Sequence, residues 1–340
     1  MMNNKKQILS TIIAVFMMLL FILDTDTART GVKEGLTLCM NVIIPSLFPF
    51  LMTSLYMNSS VQSIKIPWMR YVGKCLHIPA GCESILLIGL TGGYPVGAQL
   101  IASTYEENRI SKRCAQILLG YCNNAGPAFI FGMTASLFSS PVVPFLLWGI
   151  HIFSALATGS LLPKPEEAFG QSAKTPEVSV ISALKRSIYL CAVICGWVII
   201  FKVFLSYISN YFSGILNHNA MICLCGLLEL SNGCVLLAEI PSEALRFVLC
   251  SVFLSFGGFC VMLQTASAAQ SPGLGLYIPG KLIQTIISIL TSLILSPMIF
   301  QDTPLHFPGV CISFIVGIVV LLSVKKYTEK RCGNIAKNHV

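Results

Sequence analysis

Ten apolar segments follow one another along the chain, at roughly 8–23, 36–57, 84–105, 113–138, 142–162, 186–208, 215–238, 245–268, 276–298 and 306–324. Most are near the roughly 20 helical residues that cross a hydrocarbon core about 30 Å thick. Backbone groups in hydrocarbon find no water, so each crossing must satisfy its own hydrogen bonds as a helix. Only 11% of the 340 residues are charged, against about 25% in a soluble domain. The sequence therefore predicts an all-α polytopic membrane protein with the lipid bilayer as its surroundings and no sizeable soluble domain. The formal net charge of +8 reads as the basic loops that orient a membrane protein, with no nucleic acid as partner. Lys5 and Lys6 before the first apolar run raise a signal peptide. No small-x-small cleavage site follows, and Asp24, Asp26 and Arg29 come next, so the first helix is expected to remain.

Ten full crossings would scatter the basic loops over both sides. If 84–105 and 215–238 instead enter, turn and leave on the same side, about eight transmembrane helices remain, plus two re-entrant helical hairpins. The basic stretches 58–83, 106–113, 163–186 and 325–337 then gather with the N-terminus, as positive-inside requires. Each hairpin arm of about ten residues is about 15 Å of helix, enough to reach the midplane. The expected turns are Gly92-Gly93-Tyr94-Pro95 and Ser231-Asn232-Gly233. This parse makes 36–162 and 186–298 read alike, as crossing, hairpin, crossing, crossing, entered from opposite sides. The expected organisation is 1–34, an N-terminal helix and loop; 35–162, a first gate-like repeat; 163–185, a polar proline-bearing linker; 186–298, a second gate-like repeat; and 299–340, a last helix and basic tail. Inverted repeats with broken helices are the architecture of secondary transporters.

The candidate site residues lie at the expected breaks. Gly92 and Gly93 allow close backbone approach, and Pro95 suits the first position of a half-helix. The free N–H groups of Val96, Gly97 and Ala98 would then point at mid-membrane with the positive end of the dipole, a place for a carboxylate. Tyr94 and Gln99 flank that point. In Cys122-Asn123-Asn124-Ala125-Gly126-Pro127 a second half-helix is expected from Pro127, with one asparagine as a cap and the other free for a solute. Glu229 is a carboxylate inside an apolar segment, and Ser231 and Asn232 follow it. Gly257-Gly258 sits where the second repeat should match Asn123-Asn124. Lys202 and Lys281 also lie in apolar segments, and either could pair with Glu229 or with an anionic substrate.

No HExxH, GxSxG or GxxxxGK[ST] occurs, so neither an enzyme nor an ATP-driven pump is expected. The fourteen cysteines include no CxxC, and they read as small apolar packing residues. No metal and no cofactor is expected, although a coupling ion stays open.

The stretches GGYPVGAQLIAS, RISKRCAQILLGYCNNAGPAFIFG and, more weakly, ELSNG resemble the YlbJ family of sporulation integral membrane proteins. That family is grouped with nucleoside-recognition gate proteins, which are similar to concentrative nucleoside transporters. The resemblance is most specific over about 89–132. It implies a role in endospore formation: movement of dipicolinic acid across the outer forespore membrane, from the mother cell. Two alternatives stay open: an ion- or nucleoside-coupled transporter, and a non-transporting assembly protein of the forespore membrane.

Overall fold

The computed structural model describes residues 4–63, 67–76, 78–164, 179–212 and 214–300, and their regular elements are all helical. The expected segment 306–324, the basic tail and most of the linker 163–185 lie outside the described residues.

Helix α1 (Asn4–Leu23) ends at Asp24, whose carboxylate accepts the Thr27 N–H at 3.1 Å and so starts α2 (Thr25–Leu38). A π-helical turn, Cys39–Ile43, carries α2 into α3 (Ile44–Ser63). Residues 25–34, expected as a loop, are therefore helix. Two features explain this. Asp24 caps the first turn, and Gly31 and Gly35 give α2 a flat face for α10 (Val180–Phe212). A Cβ at Gly31 would stand 2.7 Å from Val203 Cα, and one at Gly35 would stand 3.0 Å from Ile199 Cα. Tyr207 and Tyr211 of α10 fix the upper end. Their hydroxyls donate to the Asp24 carbonyl at 2.7 Å and to its carboxylate at 2.9 Å. Gly31→Leu should cost about 1–3 kcal/mol by overpacking, read as a lower midpoint of thermal unfolding in detergent. An unchanged midpoint would mean that α2 and α10 can separate freely.

Helix α4 (Pro67–Cys75) is short. Four apolar segments are broken. They form α5 (Ser84–Thr91) with α6 (Val96–Glu106), α7 (Lys112–Leu119) with α8 (Pro127–Thr134), α11 (His218–Leu228) with α12 (Leu230–Leu236), and α13 (Glu243–Phe256) with α14 (Gly258–Ala268). Helices α9 (Val143–Leu161), α10 and α15 (Tyr277–Ile299) are unbroken. The first turn falls at Gly92–Pro95 as expected. The second falls at Glu229, ahead of the expected Ser231-Asn232-Gly233, which are inside α12. The reason is that the Glu229 side chain caps the new helix and lets it begin at once.

Five helical runs among the described residues are long and apolar enough to cross a membrane: Thr25–Met57, Val143–Leu161, Val180–Phe212, Glu243–Ala268 and Tyr277–Ile299. The order of long helix, broken pair, broken pair, long helix occurs twice, once over α2–α9 and once over α10–α15. Contacts between the halves exchange in the same way. Helix α8 packs on α12 and α6 on α14, while α9 packs on α13 and α15 on α7.

Candidate functional site

The helix breaks pack against one another, backbone to backbone. Gly93 adopts φ +76°, a conformation that costs a non-glycine residue about 1–2 kcal/mol. It lies against the second break so closely that a Cβ on Gly126 would stand 3.0 Å from Gly93 Cα. In the other half, Gly258 has φ +80° and faces the Leu227 and Leu228 carbonyls, each 3.3 Å from where its Cβ would be. Tyr94 joins the halves. It is buried, and its hydroxyl lies 3.5 Å from the Leu254 carbonyl just before the Gly257 break.

Asparagines fill much of the space between the breaks. Asn123 Oδ1 accepts the Ala98 N–H at 3.2 Å, and Asn123 Nδ2 donates to Thr265 Oγ1 at 2.9 Å. Asn123 thus ties the start of α6 to α14. The Val96 N–H donates to the Gly93 carbonyl at 2.9 Å. Two of the three N–H groups expected to be free at the start of α6 are therefore already bonded. Asn124 donates to the Tyr121 carbonyl at 2.7 Å, and its Oδ1 accepts from Lys281 Nζ at 3.1 Å and from Gln284 Nε2 at 3.0 Å. Lys281 Nζ also donates to Gln284 Oε1 at 2.7 Å and to the Tyr94 hydroxyl at 3.3 Å. His151 Nε2 accepts the Ala125 N–H at 3.1 Å. Gly126 is the N-cap of α8, and Pro127 takes its first position.

Glu229 is 1% exposed, with extended backbone between α11 and α12. One carboxylate oxygen accepts the Ser231 N–H at 3.0 Å. The other accepts the Asn232 N–H and the Asn232 side-chain amide, both at 2.7 Å. Neither lysine pairs with it. Lys202 Nζ is 3.1 Å from Glu34, and Lys281 is held by neutral groups.

The remaining candidates take lesser places. Gly92 is the C-cap of α5, its N–H bonded to the Ile88 carbonyl at 2.7 Å. Gly97 packs against the Cys122 carbonyl with no room for a side chain. Gln99 is half-buried, and its Oε1 makes no hydrogen bond among the described residues.

Two cavities reach this region. One of ≈ 30 Å³ is lined by Gly93, Tyr94, Gly126, Glu229, Ser231 and Gln264 among others. A water needs roughly 10–15 Å³ of such space, so it has room for one or two waters and no organic solute. The second is a polar vestibule of ≈ 670 Å³, lined by Asp26, Glu34, Lys202, His218, Asn232 and Glu239 among others. Asn232 is thus reached from the vestibule while it holds Glu229. Among the described residues no group of three or more His, Cys, Asp or Glu side chains could hold a metal ion.

The sequence offers Lys281 as a partner for Glu229 or for an anionic substrate and does not single out Gln284. Lys281 and Gln284 stand three residues apart in an apolar run, which places both on one helix face. That spacing was the available signal.

A sporulation integral membrane protein, YlbJ of Bacillus subtilis (strain 168), is 26% identical over 279 residues, spanning 69% of this chain and 68% of that protein. The chain is related to it. With five apolar runs of spanning length, this is an integral membrane protein related to one of sporulation. No family model matches the chain, and no solved structure does.

Proposed function

We propose that the chain carries a small anionic solute, dipicolinate, across a membrane during endospore formation, by alternating access at its broken helices. The observation that carries this reading is the meeting of the helix breaks around buried polar side chains: Asn123, Asn124, Glu229 and Lys281. Polar groups at such depth are costly, and in membrane proteins they mark solute or ion pathways. The doubled helix order, with contacts that exchange between halves, fits inverted repeats moving against each other around a central site. In this reading eight helices cross, α5–α6 and α11–α12 are re-entrant hairpins, and the basic loops face the mother-cell cytoplasm.

The described state is then closed at the centre and open through the vestibule, on the side away from the basic loops. Dipicolinate, the solute implied by the sequence resemblance, is a flat dianion. Its two carboxylates suit amide donors and a buried ammonium. The membrane is the outer forespore membrane. The vestibule wall carries Asp26, Glu34 and Glu239 against Lys202 and His218, and this excess of acid favours a cation entering alongside the anion. Uptake that rises with an imposed sodium or proton gradient would support that coupling, and uptake indifferent to both would remove it.

A ligand that binds only the folded state raises stability by RT ln(1 + [L]/Kd). Millimolar dipicolinate should therefore raise the unfolding midpoint of the purified protein, while uridine and adenosine should not. A shift by nucleosides alone would favour the nucleoside reading. No shift by either would favour the assembly protein.

A further inference from the structure

We propose that Lys281 is the charge partner of a carboxylate on the transported solute, which is a small aromatic carboxylate; this rests on the transport reading above. Lys281 is 1% exposed on α15. Gly280 beside it lies directly on the Gly120 backbone, and this brings α15 against the α7–α8 break. The ammonium donates to three oxygens, of Gln284, Asn124 and Tyr94, and all three are neutral. No carboxylate lies within ion-pair distance of it among the described residues. Glu229 occupies a different break and is engaged by three N–H donors of its own.

Neutral oxygens orient a buried cation without cancelling its charge, and an uncompensated ion costs several kcal/mol. A purely structural post at this position would gain from a glutamine or methionine of similar length. What a lysine adds is attraction for an anion. Tyr94 supplies the way in. It lines the ≈ 30 Å³ cavity, and its ring lies 5.2 Å from the ammonium. Its bond to Lys281 is the longest of the three. A substrate carboxylate that takes the place of the Tyr94 hydroxyl would complete a charge-assisted pair, stronger than the neutral bond it replaces. The Tyr277 ring, 5.9 Å from the same ammonium, gives a second aromatic wall. In an opened state these two rings would flank a carboxylate borne on a flat ring.

The experiment is dipicolinate uptake into proteoliposomes by the wild type, Lys281→Gln and Gln284→Glu, with the unfolding midpoint of each recorded. Lys281→Gln should weaken apparent affinity about 100-fold, the scale of truncating one partner of a buried charge pair. Gln284→Glu guards against a variant that fails to fold. It places a carboxylate beside the ammonium in nearly the same volume and exchanges the Gln284 bond to Asn124 Oδ1 for a charged pair with Lys281, so it should still fold, as its midpoint will show, and lose uptake, because the internal carboxylate competes with the substrate. Wild-type uptake with Gln284→Glu equally active would overturn the Lys281 assignment alone. No uptake by the wild type would overturn the transport reading and this assignment with it.

Discussion

Glu229→Gln should lower the unfolding midpoint more than any surface substitution, although it changes one atom. In the folded protein both carboxylate oxygens accept N–H groups, two from backbone and one from the Asn232 side chain. A glutamine has one acceptor oxygen. Whichever way its amide turns, its NH2 faces a buried donor and leaves at least one unsatisfied, at about 1–3 kcal/mol each. Glu229→Ala removes all three bonds together with the cap of α12, and should cost more. Thermal unfolding in detergent measures both. A Glu229→Ala protein as stable as the wild type would show that α12 does not depend on its cap, and the location of the second break would lose its physical explanation.

Gly93→Leu should be the second severe change, and its effect should fall on movement as well as stability. Leucine at φ +76° costs about 1–2 kcal/mol. Its side chain must also displace the Gly126 backbone, since a Cβ at Gly93 would already stand 3.2 Å from Gly126 N; overpacking of this kind adds about 1–3 kcal/mol. The first two breaks would be held apart. The expected result is a protein that still inserts, unfolds at a lower temperature and does not transport. Gly93→Ala should be milder, because it meets the φ penalty with little of the clash. If leucine and alanine behave alike, the contact with Gly126 is not what closes the site.

The sequence was informative where local chemistry decides local structure. Pro127 with Gly126 announces a half-helix, and α8 begins there. Gly92-Gly93-Tyr94-Pro95 announces a break, and α6 begins one residue on, at Val96. The second break was displaced because Ser231-Asn232-Gly233 looks like a turn in isolation, whereas the Glu229 carboxylate three residues before Asn232 makes a capped start. Polar residues 25–34 look like a loop for a similar reason. Their helix depends on a cap at Asp24 and on packing of Gly31 against Val203 and of Gly35 against Ile199 of α10, residues far apart in the chain. Such partners do not show in a single sequence. The same holds for the site. Asn123 and Asn124 stand out as amides in an apolar run, but their partners, Thr265 and Lys281 with Gln284, come from the other half. The use of Asn123 to cap Ala98 could not be read before the fold was known.

The account's central claim is that solute passes through the meeting of the helix breaks. The most direct measurement is uptake of labelled dipicolinate into proteoliposomes, wild type against Asn123→Ala. Asn123 links α6 to α14 across the two halves, through Ala98 and Thr265, and makes no hydrogen bond to Lys281. The account predicts uptake by the wild type above empty liposomes, and its loss in an Asn123→Ala protein that remains folded and inserted. Equal uptake by both proteins, or none by either, would contradict it.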